Sequence, residues 1–205
     1  MSVPQVVIIG RPNVGKSSIF NWLAGKRLAI VDDVAGVTRD RMTYLLSHDD
    51  KYFDIVDTGG IGINDVDDLS DEIEEQIQYA LEAADIILFV VDTRTGLLPL
   101  DSHVAKRLRY VDKPILLVAN KTDEFTLDPD ADEFYKLGRG KLVRVSCLQN
   151  RNRDLLLDMI AERLPEVSPE TGIEESEPEE MKMALVGRRN VGKSTFINTL
   201  TNTER

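Results

Sequence analysis

The chain has 205 residues, 42% apolar and 30% charged, which suits one well-packed domain with additional sequence, or two very small domains. Its formal net charge of −11 argues against a bare polyanion binder, so no DNA contact is expected, although a local basic face is compatible with it. The single cysteine, Cys147, excludes an intrachain disulfide and fits a reducing compartment, and the longest apolar runs, 86–91 and 115–119, are far too short to span a bilayer.

The N-terminus, Met1-Ser2-Val3-Pro4-Gln5, has no basic stretch ahead of an apolar one. It therefore does not read as a secretory signal, and a cytoplasmic location without membrane contact is expected. From there β-branched apolar runs alternate with helix-like segments. Residues 6–9 read as a buried strand and 17–24 as a helix, and 42–47 with 52–56 read as a hairpin turning at His48-Asp49-Asp50-Lys51. A helix over 70–84 puts Ile73, Ile77, Ala80, Leu81 and Ala84 on one face. Strands follow at 86–91, 115–119 and 142–145, with helices at 101–110, 131–137 and 154–164. This alternation implies right-handed crossovers and an α/β fold with a doubly wound, mostly parallel sheet. The hairpin adds one antiparallel edge strand.

Composition changes from Pro165 to about Met181. Pro165, Pro169 and Pro178 punctuate a run holding Glu166, Glu170, Glu174, Glu175, Glu177, Glu179 and Glu180. Such a segment buries little and repels itself, so it reads as a solvated tether, with an acidic docking motif as the alternative. Beyond it the chain repeats itself. Gly10-Arg11-Pro12-Asn13-Val14-Gly15-Lys16-Ser17-Ser18 returns as Gly187-Arg188-Arg189-Asn190-Val191-Gly192-Lys193-Ser194-Thr195, and Asn21 and Leu23 are answered by Asn198 and Leu200. The expected organisation is a first domain over 1–164, an acidic linker over 165–181, and the strand, loop and partial helix that open a second domain over 182–205. That last piece is too small to bury a core of its own.

Residues 10–17 fit the pattern G-x-x-x-x-G-K-[ST], after a strand and opening a helix, as a phosphate-binding loop must. Glycines let the backbone wrap phosphates, and successive amides with the helix N-terminus supply a fixed positive field. Lys16 then reaches the β- and γ-phosphates, and the Ser17 hydroxyl ligates Mg²⁺. Asn120-Lys121-Thr122-Asp123, after the strand 115–119, decides the base. The Asp123 carboxylate can accept from the N1–H and the 2-amino group of guanine, whereas adenine has no proton at N1 and would leave a buried charge unpaired. Between the two lies Asp57-Thr58-Gly59-Gly60, at the end of the strand 52–56. Asp57 is placed to hold Mg²⁺ through a water, and the Gly60 amide can approach a γ-phosphate with no side chain in the way.

Taken together, residues 10–17, 57–60 and 120–123 resemble the translation-factor-related P-loop GTPases, and the repeat across an acidic linker resembles the Der family of bacterial tandem-domain GTPases. The resemblance covers the whole chain. It implies GTP and GDP as ligands, hydrolysis of GTP, and a role in assembly of the large ribosomal subunit, with RNA contact mainly through parts absent from this sequence. Ala35-Gly36-Val37-Thr38-Arg39-Asp40 looks like that family's first switch, in which Thr38 would ligate Mg²⁺ and contact the γ-phosphate. Two departures stand out. The fifth nucleotide motif, Ser146-Cys147-Leu148-Gln149-Asn150, lacks the family's alanine and has no glycine before Asp154. Cys147 reads as a packed small side chain, with a reactive thiol as the alternative. The family's proteins also continue well past the point where this sequence stops, so a fragment or an early end of the reading frame is expected.

The position after Gly60 is Ile61, which cannot orient a water as the glutamine of Ras-like enzymes does, and neither His48 nor His103 lies near a motif. By resemblance, Asn13 matches an asparagine that helps bind K⁺ beside the phosphates in potassium-activated GTPases, where the cation neutralises transition-state charge. The other reading of Asn13 is a loop residue tolerant of unusual backbone angles. Arg39 supplying charge in cis stands against an ordinary surface arginine. At the level of function, a slow Mg²⁺-dependent GTPase stands first. A nucleotide-gated binding module with negligible turnover is the alternative, and a P-loop ATPase is the weakest.

Overall fold

A computed structural model describes residues 3–25, 42–58, 69–138 and 140–165, all within the first of two units, Met1–Glu166 and Val167–Arg205, into which the chain divides. Six strands, β1 (Gln5–Ile9), β2 (Met42–His48), β3 (Lys51–Asp57), β4 (Ile86–Asp92), β5 (Ile115–Asn120) and β6 (Lys141–Arg144), form one sheet in the order β2-β3-β1-β4-β5-β6. Only the β2–β3 pair is antiparallel. The expected α/β class, with a mostly parallel sheet and one antiparallel edge strand, is what is found.

The continuous apolar runs of β1, β4 and β5 arise because both faces of these strands are covered. Period-two alternation sorts their side chains into two layers. Val6, Ile8, Leu88, Val90, Leu116 and Val118 face the helices α1 (Lys16–Ala24) and α5 (Arg153–Ala161) through Ile19, Phe20, Leu23, Leu156 and Ile160. Val7, Ile9, Ile87, Phe89, Val91, Leu117 and Ala119 face α2 (Leu69–Ala83) and α3 (Pro99–Leu108) through Ile73, Ile77, Ala80, Val104 and Leu108.

The hairpin closes through a two-residue turn at Asp49 and Asp50, whose φ angles of 49° and 59° give the mirror-image turn that matches strand twist. His48 Nε2 lies 2.7 Å from Asp158 Oδ1, and Lys51 Nζ donates to the Ala161 carbonyl, so the hairpin is tied to α5. The helix expected over 101–110 starts earlier, at Pro99. The ring presets the first helical residue, and the Asp101 carboxylate accepts from the Leu98 amide at 3.0 Å. Where one helix was expected over 131–137, the chain makes a 3₁₀ turn (Phe125–Leu127), a single α-turn (α4, Asp128–Ala131) and a second 3₁₀ segment (Asp132–Leu137). On α2 Ile73, Ile77 and Ala80 are buried as expected, as is Ala84 just past its end, while Leu81 is only half-buried and Gln76 joins the buried face. Among the described residues no helix is long and apolar enough to cross a membrane.

Phe20 is fully buried where α1 meets the sheet, directly behind the loop that α1 carries. Phe20→Ala is expected to lower unfolding free energy by about 3–5 kcal/mol, through lost transfer energy and the cavity left behind. Urea unfolding checks this: the midpoint should fall with little change in slope.

Candidate functional site

The order β3-β1-β4-β5-β6 brings the carboxyl ends of five strands side by side, and the loops that follow them build one edge of the molecule. After β1 the chain turns through residues 10–15 into α1. Two positions in this loop demand glycine. A Cβ on Gly10 would fall 2.5 Å from the Val90 carbonyl oxygen, and one on Gly15 would fall 2.4 Å from Asn120 Nδ2. Asn13 and Gly15 are both left-handed, with φ of 65° and 94°. The Lys16 side chain folds back under the loop, where Nζ donates to the carbonyls of Gly10 (2.7 Å) and Arg11 (3.1 Å) and is nearly buried. Gly15 caps α1 without a side-chain hydrogen bond, so no side chain of the cap competes for the amides of the first turn, where Ser17 and Ser18 are exposed.

This loop is clasped by the one after β5. Asn120 Nδ2 donates to the Val14 carbonyl at 2.9 Å, and Lys121 Nζ donates to the Asn13 carbonyl at 2.8 Å. Lys121 also lies 2.6 Å from Asp92 Oδ2, at the end of β4. Burial pushes the Asp92 carboxyl up, but the Lys121 ammonium, the Thr95 hydroxyl and the Arg94 amide outweigh it and hold the group below the ordinary carboxylate range. Thr122 is fully buried, donating to the Ala119 carbonyl and sharing a 2.8 Å hydrogen bond with Thr93.

Asp123 and Ser146 come together: Ser146 Oγ donates to Asp123 Oδ1 at 2.5 Å and accepts from the Gln149 amide. The other oxygen, Oδ2, accepts from Arg94 Nη2 at 2.5 Å. Cys147 is half-buried with Sγ 3.6 Å from Asn120 Oδ1, and burial pushes its thiol up to about 12. Its side chain packs against the apolar layer behind the site, in agreement with the packing reading. A cavity of about 870 Å³ opens here, lined among others by Ser18, Asn120, Lys121, Asp123 and Cys147.

Asp57 ends β3 in register with Ile8, nearly buried beside the start of the loop, and Thr58 Oγ1 donates to the Ile8 carbonyl at 2.6 Å. Arg11 is buried and paired with Asp101 on α3 at 3.2 Å, and burial outweighs the Leu98 amide and Arg11 to raise the Asp101 carboxyl. Pro12 is half-exposed. Thr38, Gly59, Gly60 and Ile61, and the whole second motif from Gly187 through Arg188, Arg189, Asn190, Val191, Gly192, Lys193 and Ser194, lie outside the described residues.

Sequence reasoning missed Arg94, Asp92, Gln76 and Asp101. The signal for the first two was available, since both sit at the carboxyl end of a central parallel strand, where ligand sites form. Gln76, whose Oε1 lies 3.4 Å from the Gly10 amide, and Asp101 carry no such mark, because their partners are distant in sequence.

A family model described as 50S ribosome-binding GTPase matches residues 5–121 and 182–205, and the second stretch contains the repeated loop motif. The chain is 58% identical over its full length to GTPase Der of Rhodopirellula baltica and 45% identical to GTPase Der of Clostridium novyi. It spans 44% and 46% of those two proteins, somewhat under half of each. Among solved structures, Era of Aquifex aeolicus bound to GDP·AlF₄⁻ is 32% identical with a TM-score of 0.65, covering 82% of this chain and 59% of that one. Era in complex with MgGDPNP and a segment of 16S ribosomal RNA is 34% identical with the same score and coverage. The G domain of the T. maritima FeoB iron transporter, 23% identical with a TM-score of 0.59 over 79% of this chain and 99% of that one, shares the fold.

Asp92→Asn removes the anionic partner that holds the Lys121 clasp and is expected to lower stability by about 1–2 kcal/mol at neutral pH. The folded carboxyl is depressed, so its contribution is complete above the unfolded value of about 4 and is lost as pH falls through the folded one. Urea titrations from pH 7 downward should show the two proteins converging below about pH 4.

Proposed function

The chain belongs to the family of 50S ribosome-binding GTPases, and from that premise we propose that it binds GTP and GDP and hydrolyses GTP as a switch in assembly of the large ribosomal subunit. The observation that carries the proposal is the clasp between the two loops. One lysine, Lys121, ties a glycine-dependent loop to a pocket containing the Asp123 carboxylate, the acceptor that guanine requires. The cradle suits a phosphate because backbone amides of a glycine-bearing loop and of a helix's first turn supply a positive field, with Lys16 Nζ held beside them on the Gly10 and Arg11 carbonyls.

Mg²⁺ fits an oxygen donor set of the Ser17 hydroxyl, exposed at the start of α1, and the Asp57 carboxylate at the end of β3, with Thr38 as a further ligand by resemblance. When bound, the ion supplies charge neutralisation at the phosphates. Within the protein, Lys16 holds negative charge at the loop and the Gly60 amide is assigned to the γ-phosphate. Asn120 and Lys121 keep the base loop in register with the phosphate loop. Ile61 offers no group to orient water, so turnover is slow. Domain boundaries of 1–164, 165–181 and 182–205 belong to the same reading, with the second loop motif, Gly187 to Ser194, as a further phosphate cradle.

Base choice is tested by Asp123→Asn, which presents an amide donor where xanthine has its 2-oxo acceptor. The preference for GTP over XTP should shift toward XTP by about a hundredfold or more; an unchanged ratio in competition binding would remove Asp123 from the role.

For Asn13 we propose a K⁺ contact beside the phosphates. Its left-handed backbone, φ 65°, supports the loop-geometry reading, but its exposed side chain is open to a ligand as well. Hydrolysis in K⁺ should exceed that in Na⁺ by about tenfold or more at matched ionic strength, with Asn13→Ala abolishing the difference while GDP affinity holds. Equal single-turnover rates in the two salts would leave Asn13 as a loop residue only.

A further inference from the structure

The carboxylate that would read guanine is already engaged. Asp123 has only 9% of its side chain exposed, and both its oxygens accept a hydrogen bond: Oδ1 from Ser146 and Oδ2 from Arg94, each at 2.5 Å. Ser146 stands in the fifth nucleotide motif. Arg94 belongs to none of the motifs and comes from the loop after β4. A carboxylate so nearly buried cannot be left bare without a large desolvation penalty. With no base in the pocket, some donor has to meet it.

The chemistry of the two candidates for that place is alike. The N1–H, C2 and 2-amino group of guanine make a planar N–C–N unit with parallel donors, and a guanidinium is the same unit carrying a positive charge. The geometry also allows exchange. The Arg94 amide is fixed by a 3.0 Å hydrogen bond to Asp92 Oδ1, while its side chain is 60% exposed. The guanidinium can therefore swing into water by side-chain rotation, with the backbone of the site unmoved.

We propose that Arg94 is a built-in stand-in for guanine, occupying Asp123 when the base is absent and displaced when it docks. This rests on the guanine-nucleotide reading above and adds to it a residue that sets affinity and release. Because the ion pair exists only in the empty form, it weakens base binding by the amount it stabilises that form. When nucleotide departs, Arg94 returns to the carboxylate and lowers the penalty of leaving it bare.

Isothermal calorimetry on the wild-type chain and on Arg94→Ala is the test, with GDP and with pyrophosphate. The expected result is about fivefold tighter GDP binding in the variant, the size of a half-exposed ion pair, equivalent to roughly 1 kcal/mol. Pyrophosphate, which has no base, should bind both proteins alike. In thermal unfolding, the variant should be less stable than wild type when empty and equal to it when saturated with GDP. Arg94→Lys keeps the charge but not the planar fork and should fall between. Weaker GDP binding by Arg94→Ala would make Arg94 a direct ligand contact and overturn the proposal, as would unchanged affinity or equal tightening for pyrophosphate. A wild-type chain that binds no guanine nucleotide would instead overturn the functional reading itself, and this proposal with it.

Discussion

Lys121 donates to two partners that belong to different parts of the chain: the carbonyl of Asn13 in the loop after β1, and the carboxylate of Asp92 at the end of β4. With the Asn120 bond to the Val14 carbonyl, it makes the geometry of one loop a condition for the other. The partners on the phosphate-loop side are backbone atoms, so the clasp specifies the path of the chain and not its side chains. That path is strained. Asn13 and Lys121 both hold left-handed angles, φ 65° and 62°, where a non-glycine residue costs about 1–3 kcal/mol. Such angles persist only where surrounding bonds over-determine them, and here each strained residue is bonded to the other.

The same edge gathers an unusual density of buried charge. Arg11, Lys16, Asp57 and Asp92 are nearly buried in or close after strand ends, with Asp101 reaching Arg11 from α3, and among the described residues no other ionisable side chain is buried. Asp92 and Asp101 shift in opposite directions. Asp92, met by an ammonium, a hydroxyl and an amide, stays low despite burial, whereas for Asp101 burial outweighs the Leu98 amide and Arg11 and the carboxyl is raised. Charges placed in this way contribute little net stability and much positional definition. The apolar layers supply the stability that lets the edge be built for ligands.

The fold was legible because its signals are local and redundant. Runs such as 86–91 and 115–119 announce fully covered strands, and the 3.6-residue spacing of α2 announces its face. The region after β5 was not legible as the broken helix it is. Phe134 and Leu137 are buried three residues apart in a 3₁₀ segment, a spacing that α-helix shares, so periodicity does not distinguish the two. In the candidate site, residues 10–17, Asp57 and residues 120–123 stand out in the sequence because each obeys a fixed spacing, and the fold gathers them on one edge. Arg94, Gln76 and Asp101 act across separations of 29 to 90 residues, and only the folded sheet brings them to their partners.

On the proposed function, base selectivity would follow from the state of the pocket before the base arrives. A ligand is preferred by the difference between what it offers and what it displaces. In this chain what it displaces includes a charge-assisted bond to Asp123 Oδ2, while the neutral Ser146 hydroxyl on Oδ1 can remain. On the proposed function guanine would return donors of the kind it removes, leaving the exchange close to balanced and the phosphate contacts to set the affinity. On that proposal adenine would remove the same bond and return no N1 proton, and so would meet the full penalty of an unpaired, nearly buried carboxylate. A pocket that keeps its own carboxylate satisfied thus gives up some affinity for every base and keeps its discrimination between them.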